Sequence, residues 1–253
     1  MVTTMTGPTM GTVAEMNLQV PGPVSELVVA RLSLPDARVR TGERSGAAAD
    51  AVILRVPPLP HRTDLPGVLD EGEHARMAQL RRGDDRDRYL LAHTALRLVL
   101  GHRLGVRADV LRFARAPCPG CGGPHGRPVL AGASGPEFSL AHGGGLVAVA
   151  LGDLPVGVDV EPNPSAAVVR RVADHLHPRE REMVLSAPEG VRAEVFARLW
   201  SRKEAYLKGT GIGLGRGTDT TDATADPPGW AIADLAIAGH AAALASERRR
   251  GNR

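Results

Sequence analysis

Gly157-Val158-Asp159-Val160-Glu161-Pro162 alternates apolar and acidic side chains with period two. Successive side chains of a strand point to opposite faces, so Asp159 and Glu161 share one face and Val158 and Val160 the other. Two carboxylates so placed repel each other. A solvated strand edge accommodates them with no further role. A cation that takes oxygen ligands would relieve the repulsion and give them one. The hexapeptide alone leaves both arrangements open.

The chain around it has 253 residues, enough for one large domain or two small ones with real cores. Apolar residues make up 43%, which predicts a globular fold, and aromatics only 3%, which leaves the core to aliphatic side chains and alanine. A net charge of +3 with scattered basic residues supplies no polyanion-binding field, so no nucleic acid is expected. Arg248-Arg249-Arg250 reads as part of a basic tail over 247–253. No apolar run reaches the roughly 18 residues of a membrane span. The N-terminus carries no charged region followed by an apolar core, so a cytoplasmic location is expected. Met16 offers an alternative start to the chain.

Residues 1–48 show no sustained period and read as a poorly ordered extension. Residues 51–56 (AVILRV) predict a strand ended by Pro57-Pro58. Helical spacing follows in Leu69, Glu73, Met77 and Leu80, then in a second helix over 84–104 with Gly105 as C-cap. Strands are predicted near 112–114, at 137–141, at 146–151 and at 156–160. Gly143-Gly144-Gly145 fits a hairpin turn and, less well, a phosphate loop. Between these lies Cys118-Pro-Gly-Cys121, with His125 close behind. The spacing is that of half a zinc site, yet Cys118 and Cys121 are the only cysteines, and a Gly-Pro turn is the simpler reading. In the second half, helices are predicted over 168–175, from Pro178, and over 188–209, followed by a polar loop and two closing strands of a hairpin, 230–235 and 236–244, joined near Asp234, with a helix as the alternative for the alanine-rich second.

The longest of these helices contains Trp200-Ser-Arg-Lys203-Glu204-Ala-Tyr-Leu-Lys208, with Trp200, Glu204 and Lys208 on one stripe. GVDVEP followed some forty residues later by WSRKEAYLK resembles the pattern of the Sfp-like, two-lobed phosphopantetheinyl transferases, which carry Gly-x-Asp-x-Glu and then Trp-x-x-Lys-Glu-Ala-x-x-Lys. HGRP (125–128) resembles that family's Gly-Lys-Pro loop, FSLAH (138–142) its Phe-Asn-x-Ser-His strand, and residues 87–100 its first long helix. The resemblance covers about residues 50–245. Ala141 stands where the family has serine, and the Cys118–Cys121 stretch is outside its pattern.

The resemblance implies an α+β fold of two similar lobes in pseudo-twofold arrangement, each a small antiparallel sheet with a long helix. The lobes would be 49–152 and 153–246, with the cleft between them. It implies transfer of the 4′-phosphopantetheine arm of coenzyme A to a serine of an acyl or peptidyl carrier protein, with release of 3′,5′-ADP. Mg²⁺, or Mn²⁺, would be held by Asp159, Glu161 and Glu204. Glu204 and Lys208 would be catalytic. Arg76, Arg88, Arg127, Pro128, His142, Asp159, Lys203 and Lys208 would contact coenzyme A. The family suggests polyketide or nonribosomal peptide carriers and a monomer that completes its own cleft. Two other readings are a Mg²⁺-dependent pyrophosphate hydrolase and a non-catalytic partner-binding module built on a Cys/His zinc loop.

Overall fold

The computed structural model describes residues 13–15, 30–34, 49–55, 67–132, 135–213 and 218–249. Its strands are β1 (Val13–Glu15), β2 (Ala30–Leu34), β3 (Ala49–Arg55), β4 (Phe113–Arg115), β5 (Pro128–Leu130), β6 (Glu137–Gly143), β7 (Leu146–Gly152), β8 (Val156–Pro162), β9 (Trp230–Ile237) and β10 (His240–Glu247). Its helices are α1 (Glu71–Ala78), α2 (Gly83–Leu104), α3 (Ala166–Val172), α4 (Pro178–Ser186) and α5 (Glu189–Thr210). An antiparallel sheet of order β1-β2-β3-β7-β6 and a second of order β8-β10-β9 carry the fold, and β4 and β5 form a separate ribbon. Small antiparallel sheets with two 22-residue helices make this an α+β protein.

The period-two pattern builds the layers. Leu146, Ala148 and Ala150 of β7 point to one face, where with Ala49, Ala51 and Ala141 they meet Val156, Val158, Val160 and Leu244 of the second sheet. Val147 and Val149 point the other way, against Ala92, Leu96, Val99 and Leu100 of α2. On the outer face of the second sheet, Ala243 and Ala245 pack with Ala205 of α5 and with Trp230. The order of layers is therefore α2, first sheet, second sheet, α5. Alanines facing valines and leucines fill an interior poor in aromatics.

The two sheets are stitched along β6 and β8. The buried Ser139 hydroxyl accepts a hydrogen bond from the Val158 amide at 3.1 Å. Gly143 lies so near that a Cβ there would come within 2.4 Å of the Val160 carbonyl. Gly144 and Gly145, both at positive φ, make the two-residue turn between β6 and β7. The triple glycine is thus a hairpin, of the kind whose backbone twist suits the strands it joins.

A buried arginine fastens α1 to α2. Arg97 is fully inaccessible and donates to Glu73 and Asp70, each at 2.7 Å, and to the Ala108 and Leu111 carbonyls. Asp70 and Glu73 also form a capping box at the start of α1.

Three expectations need correcting. Residues 13–15 and 30–34, placed in a poorly ordered extension, are strands of the first sheet, with β2 paired along β3. At three and five residues they are too short to show a period, and only their pairing partner reveals them. The remainder of 1–48 lies outside the described residues. Within the expected basic tail over 247–253, Glu247 still belongs to β10 and pairs with Trp230, and Arg248 is bound to Asp226 at 2.9 Å, while residues 250–253 lie outside the described residues. The alanine-rich closing segment is a strand, and its turn falls at residues 238–239, not near Asp234.

Candidate active site

Strand β8 and helix α5 meet face to face. Val158 and Val160 point into the core between the sheets, so Gly157, Asp159 and Glu161 face α5. Gly157 sets how close the two can come. A Cβ there would lie 1.9 Å from the Ala205 carbonyl and 2.5 Å from the Gly209 amide. Contact between small residues, Gly157 against Ala205 and Gly209, brings the flanking Glu204 and Lys208 down onto Asp159. Gly157→Ala is therefore expected to cost at least ~2 kcal/mol through overpacking. That is about 4–8 °C in melting temperature for a chain of this size. An unchanged melting temperature would show that α5 can step back freely.

The result is a knot of charge. Lys208 donates to Asp159 at 2.6 Å and lies 3.5 Å from Glu204. The other oxygen of Asp159, Oδ2, is buried with no hydrogen-bond partner. An unpaired buried carboxylate oxygen is costly, and such atoms commonly mark the place of an absent ligand. Burial, then Asp159 and Glu204, push the Glu161 carboxyl up to about 7, against the pull of Lys208. Burial and Asp159 likewise raise Glu204. Burial pulls the Lys208 ammonium down, but Asp159, Glu204 and Glu161 outweigh it and leave its pKa raised. Three carboxylates thus share one ammonium. Their oxygens are not drawn into a single coordination sphere: among the described residues, the group whose ligand atoms all come within 4.8 Å of one another is Cys118, Cys121 and His125.

Lys208 also lines a cleft of about 590 Å³. Asp70, Glu73, Tyr89 and His93 from α1 and α2 wall one side, residues 125–128 and 138–140 another, and Leu207 to Gly213 close it. A cleft of this size suits a small-molecule ligand.

The sequence-selected residues distribute unevenly. Arg127 and Pro128 line the cleft, but the Arg127 guanidinium is held in a two-pronged pair by Glu137. His142 keeps an exposed edge. Burial of the rest of the ring, then the positive charge of Lys208, Arg88 and His93, hold its imidazole below the usual value. Arg88 is exposed and paired with Asp85, and Arg76 is exposed on α1; neither lines the cleft. Lys203 must be corrected. It is fully buried, donating to Glu180 and to the Thr218 carbonyl, and so ties α5 to α4 instead of facing a ligand. One position along a helix turns a side chain by about 100°, which is why Lys203 and Glu204 part company.

Glu73, Tyr89 and His93 were not selected from sequence, yet they form one wall of the cleft. His93 bonds Glu73 at 3.0 Å and stacks on Tyr89. The capping pattern Asp70-x-x-Glu73 was the available signal for that corner.

In comparison with known families, residues 155–249 match the 4′-phosphopantetheinyl transferase superfamily. The matched span is less than half of the chain. It holds β8, α5 and all three carboxylates. The 4′-phosphopantetheinyl transferase HetI of Nostoc is 30% identical over 158 residues, covering 60% of this chain and 64% of that protein. The 4′-phosphopantetheinyl transferase psf-1 of Bacillus pumilus is 35% identical over 115 residues, 44% of this chain and 47% of that protein. The 4′-phosphopantetheinyl transferase Sfp of Bacillus subtilis is 25% identical over 133 residues, 52% and 55% of the two chains. The chain thus spans less than two thirds of the length of these curated relatives. No described helix is long and apolar enough to cross a membrane.

Proposed function

We propose that the chain transfers the 4′-phosphopantetheine arm of coenzyme A to a serine of an acyl or peptidyl carrier protein, as a monomer in the cytoplasm. The observation that carries this reading is the charge knot of Asp159, Glu161, Glu204 and Lys208 beside the 590 Å³ cleft, within a segment that matches the transferase superfamily. In this reading the cleft lies between two lobes, 49–152 and 153–246.

The donor set fits a divalent cation. Burial and the nearby Asp159 raise the proton affinity of Glu161 and Glu204, and one oxygen of Asp159 is orphaned in the interior. Hard oxygen donors without nearby sulfur favour Mg²⁺ or Mn²⁺. Asp159, Glu161 and Glu204 would hold it, and it would supply charge neutralisation to the pyrophosphate of coenzyme A.

The chain's own residues divide the remaining tasks. Glu204, whose proton affinity is raised, accepts the proton of the carrier serine hydroxyl. The serine oxygen then bonds to the phosphorus that bears the pantetheine arm. The bond from that phosphorus to the bridging oxygen breaks, and 3′,5′-ADP leaves with the electron pair. Lys208 keeps its proton and opposes the charge that gathers on the phosphate oxygens. Pro128, His142 and Arg127 border the coenzyme. A 3′-phosphate reaching Arg127 competes with Glu137 for its guanidinium.

Purified protein with coenzyme A, Mg²⁺ and an apo carrier protein is expected to yield a carrier heavier by one phosphopantetheine arm, read by intact-protein mass spectrometry. Coenzyme A binding without mass gain on several acyl and peptidyl carriers would reject the reading.

A further inference from the structure

The transferase reading leaves Cys118, Cys121 and His125 without a task. Their ligand atoms all lie within 4.8 Å of one another. Cys118 is buried, Cys121 and His125 are exposed, and the two cysteines are not joined by a disulfide. Cys121 Sγ and His125 Nε2 are 3.0 Å apart.

The backbone has already turned to make this cluster. The Gly122 amide donates to the Cys118 carbonyl at 2.7 Å and the Cys121 amide to the same oxygen at 3.3 Å. Gly122 takes φ +73°, so the chain reverses directly after the second cysteine. The Cys118 and His125 amides both donate to the Gly123 carbonyl, at 2.7 and 2.9 Å, which draws the histidine back over the turn. The neck is closed by Ala116 and Arg127 at 3.0 Å and by Gly126 and Ala116 at 2.9 Å. A Cβ on Gly126 would come within 2.5 Å of the Ala116 carbonyl, so the neck tolerates no side chain there.

Two sulfurs and an imidazole nitrogen on a preformed turn are a donor set for a borderline-soft cation, unlike the all-oxygen set of the charge knot. We infer that Cys118, Cys121 and His125 bind one Zn²⁺, which pins the loop from 116 to 127 and so fixes Arg127 and Pro128 on the cleft wall. The fourth corner of the tetrahedron is left to water, since among the described residues no other histidine, cysteine or acid joins the cluster. His125 and Gly126 themselves line the cleft, which puts that corner within reach of solvent. The metal gathers three ligands from eight consecutive residues. Its binding energy therefore stabilises the loop, in a chain too poor in cysteine for a disulfide framework. This inference stands apart from the transferase reading, because it needs neither coenzyme A nor the carboxylates.

The test uses the full chain without a polyhistidine tag, loaded with zinc and desalted. Elemental analysis is expected to find about one zinc per chain, as for a site of this donor set. Replacement by Co²⁺ is expected to add thiolate-to-cobalt absorption in the near ultraviolet. Cys121→Ser and His125→Ala should each lower retained zinc, and Cys118→Ser with Cys121→Ser should abolish the cobalt bands. Asp159→Asn should retain both, which separates this metal from any ion at the carboxylates. Wild-type protein with zinc far below one per chain and no cobalt bands would overturn the inference. So would zinc retained unchanged in Cys121→Ser.

Discussion

Glu204→Gln is expected to reduce phosphopantetheine transfer by about 10²- to 10⁴-fold, the range associated with losing a positioned general base. The protein should stay folded. Glu204 is one of three carboxylates around a single ammonium, and burial and Asp159 already raise its proton affinity. An uncharged amide of the same shape removes like-charge repulsion and opens no cavity. Among the described residues its cation contact is Lys208 at 3.5 Å, which is weaker than the 2.6 Å contact Lys208 keeps with Asp159. Metal-free Glu204→Gln should therefore melt at or above the wild-type temperature while transfer collapses. Lost activity together with lost stability would place Glu204 in the scaffold, and transfer within tenfold of wild type would remove it from the chemistry. Assaying transfer and melting in the same buffer separates these outcomes.

The position of this residue was legible in the sequence; the reason the site assembles was not. Alternation in GVDVEP places Asp159 and Glu161 on one face, and i, i+4 spacing places Glu204 with Lys208. Both are local periodicities, and both appear in the structure, where the two pairs meet. Gly157 meets its constraint, the Ala205 carbonyl, only once β8 and α5 have docked, so nothing local distinguishes it from a turn glycine. Lys203 shows the converse failure. A basic residue next to a site glutamate invites a phosphate role, yet Glu180, twenty-three positions earlier, claims it in the interior. A buried Lys–Glu pair is a long-range fact that neither residue's neighbours announce.

The fold shows the same division. Helix α2 and its left-handed Gly105 cap follow from stripe and punctuation. The alternation of β7 yields two useful faces, and the structure uses both. Strands β1 and β2 gain their identity only by pairing outward from β3, which is a matter of register and not of composition. Arg97 lies in the middle of α2, where an arginine ordinarily faces water. Its burial depends on Asp70 and Glu73 arriving from α1 to neutralise it.

Without divalent cation, stability is expected to fall as pH rises from about 5 to 8, and the charge knot supplies the slope. Glu161 titrates near 7 in the folded chain against 4.5 for an ordinary glutamate. The folded state therefore holds this proton more tightly than the unfolded state. The stabilisation is fully present below about 4.5 and is lost as pH climbs through 7. A shift of this size is worth at most about 3 kcal/mol, and less for a side chain that keeps some contact with water. Glu204, also raised, adds to the slope in the same direction. Lys208 does not oppose it, because its pKa is raised and its contribution persists until the pH passes its folded value, above the ordinary 10.5. His142, held below its usual 6.5, opposes the slope below that pH as one group against two carboxylates, and Glu73 acts with the same opposing sign but lower down. Burial raises it, His93, Asp70 and Arg97 together outweigh that, and its contribution is lost only on acidification below the carboxylate range. Thermal melts in a chelating buffer at pH 5.5, 6.5, 7.5 and 8.5 should show the decline. Glu161→Gln should flatten it, since an amide has no proton to lose. Millimolar Mg²⁺ should flatten it in the wild type, since a cation among the carboxylates favours their ionised form. A melting temperature equally pH-independent in wild type and in Glu161→Gln would mean that Glu161 is solvated and titrates normally. The carboxylates would then lack the crowding that makes them a cation site.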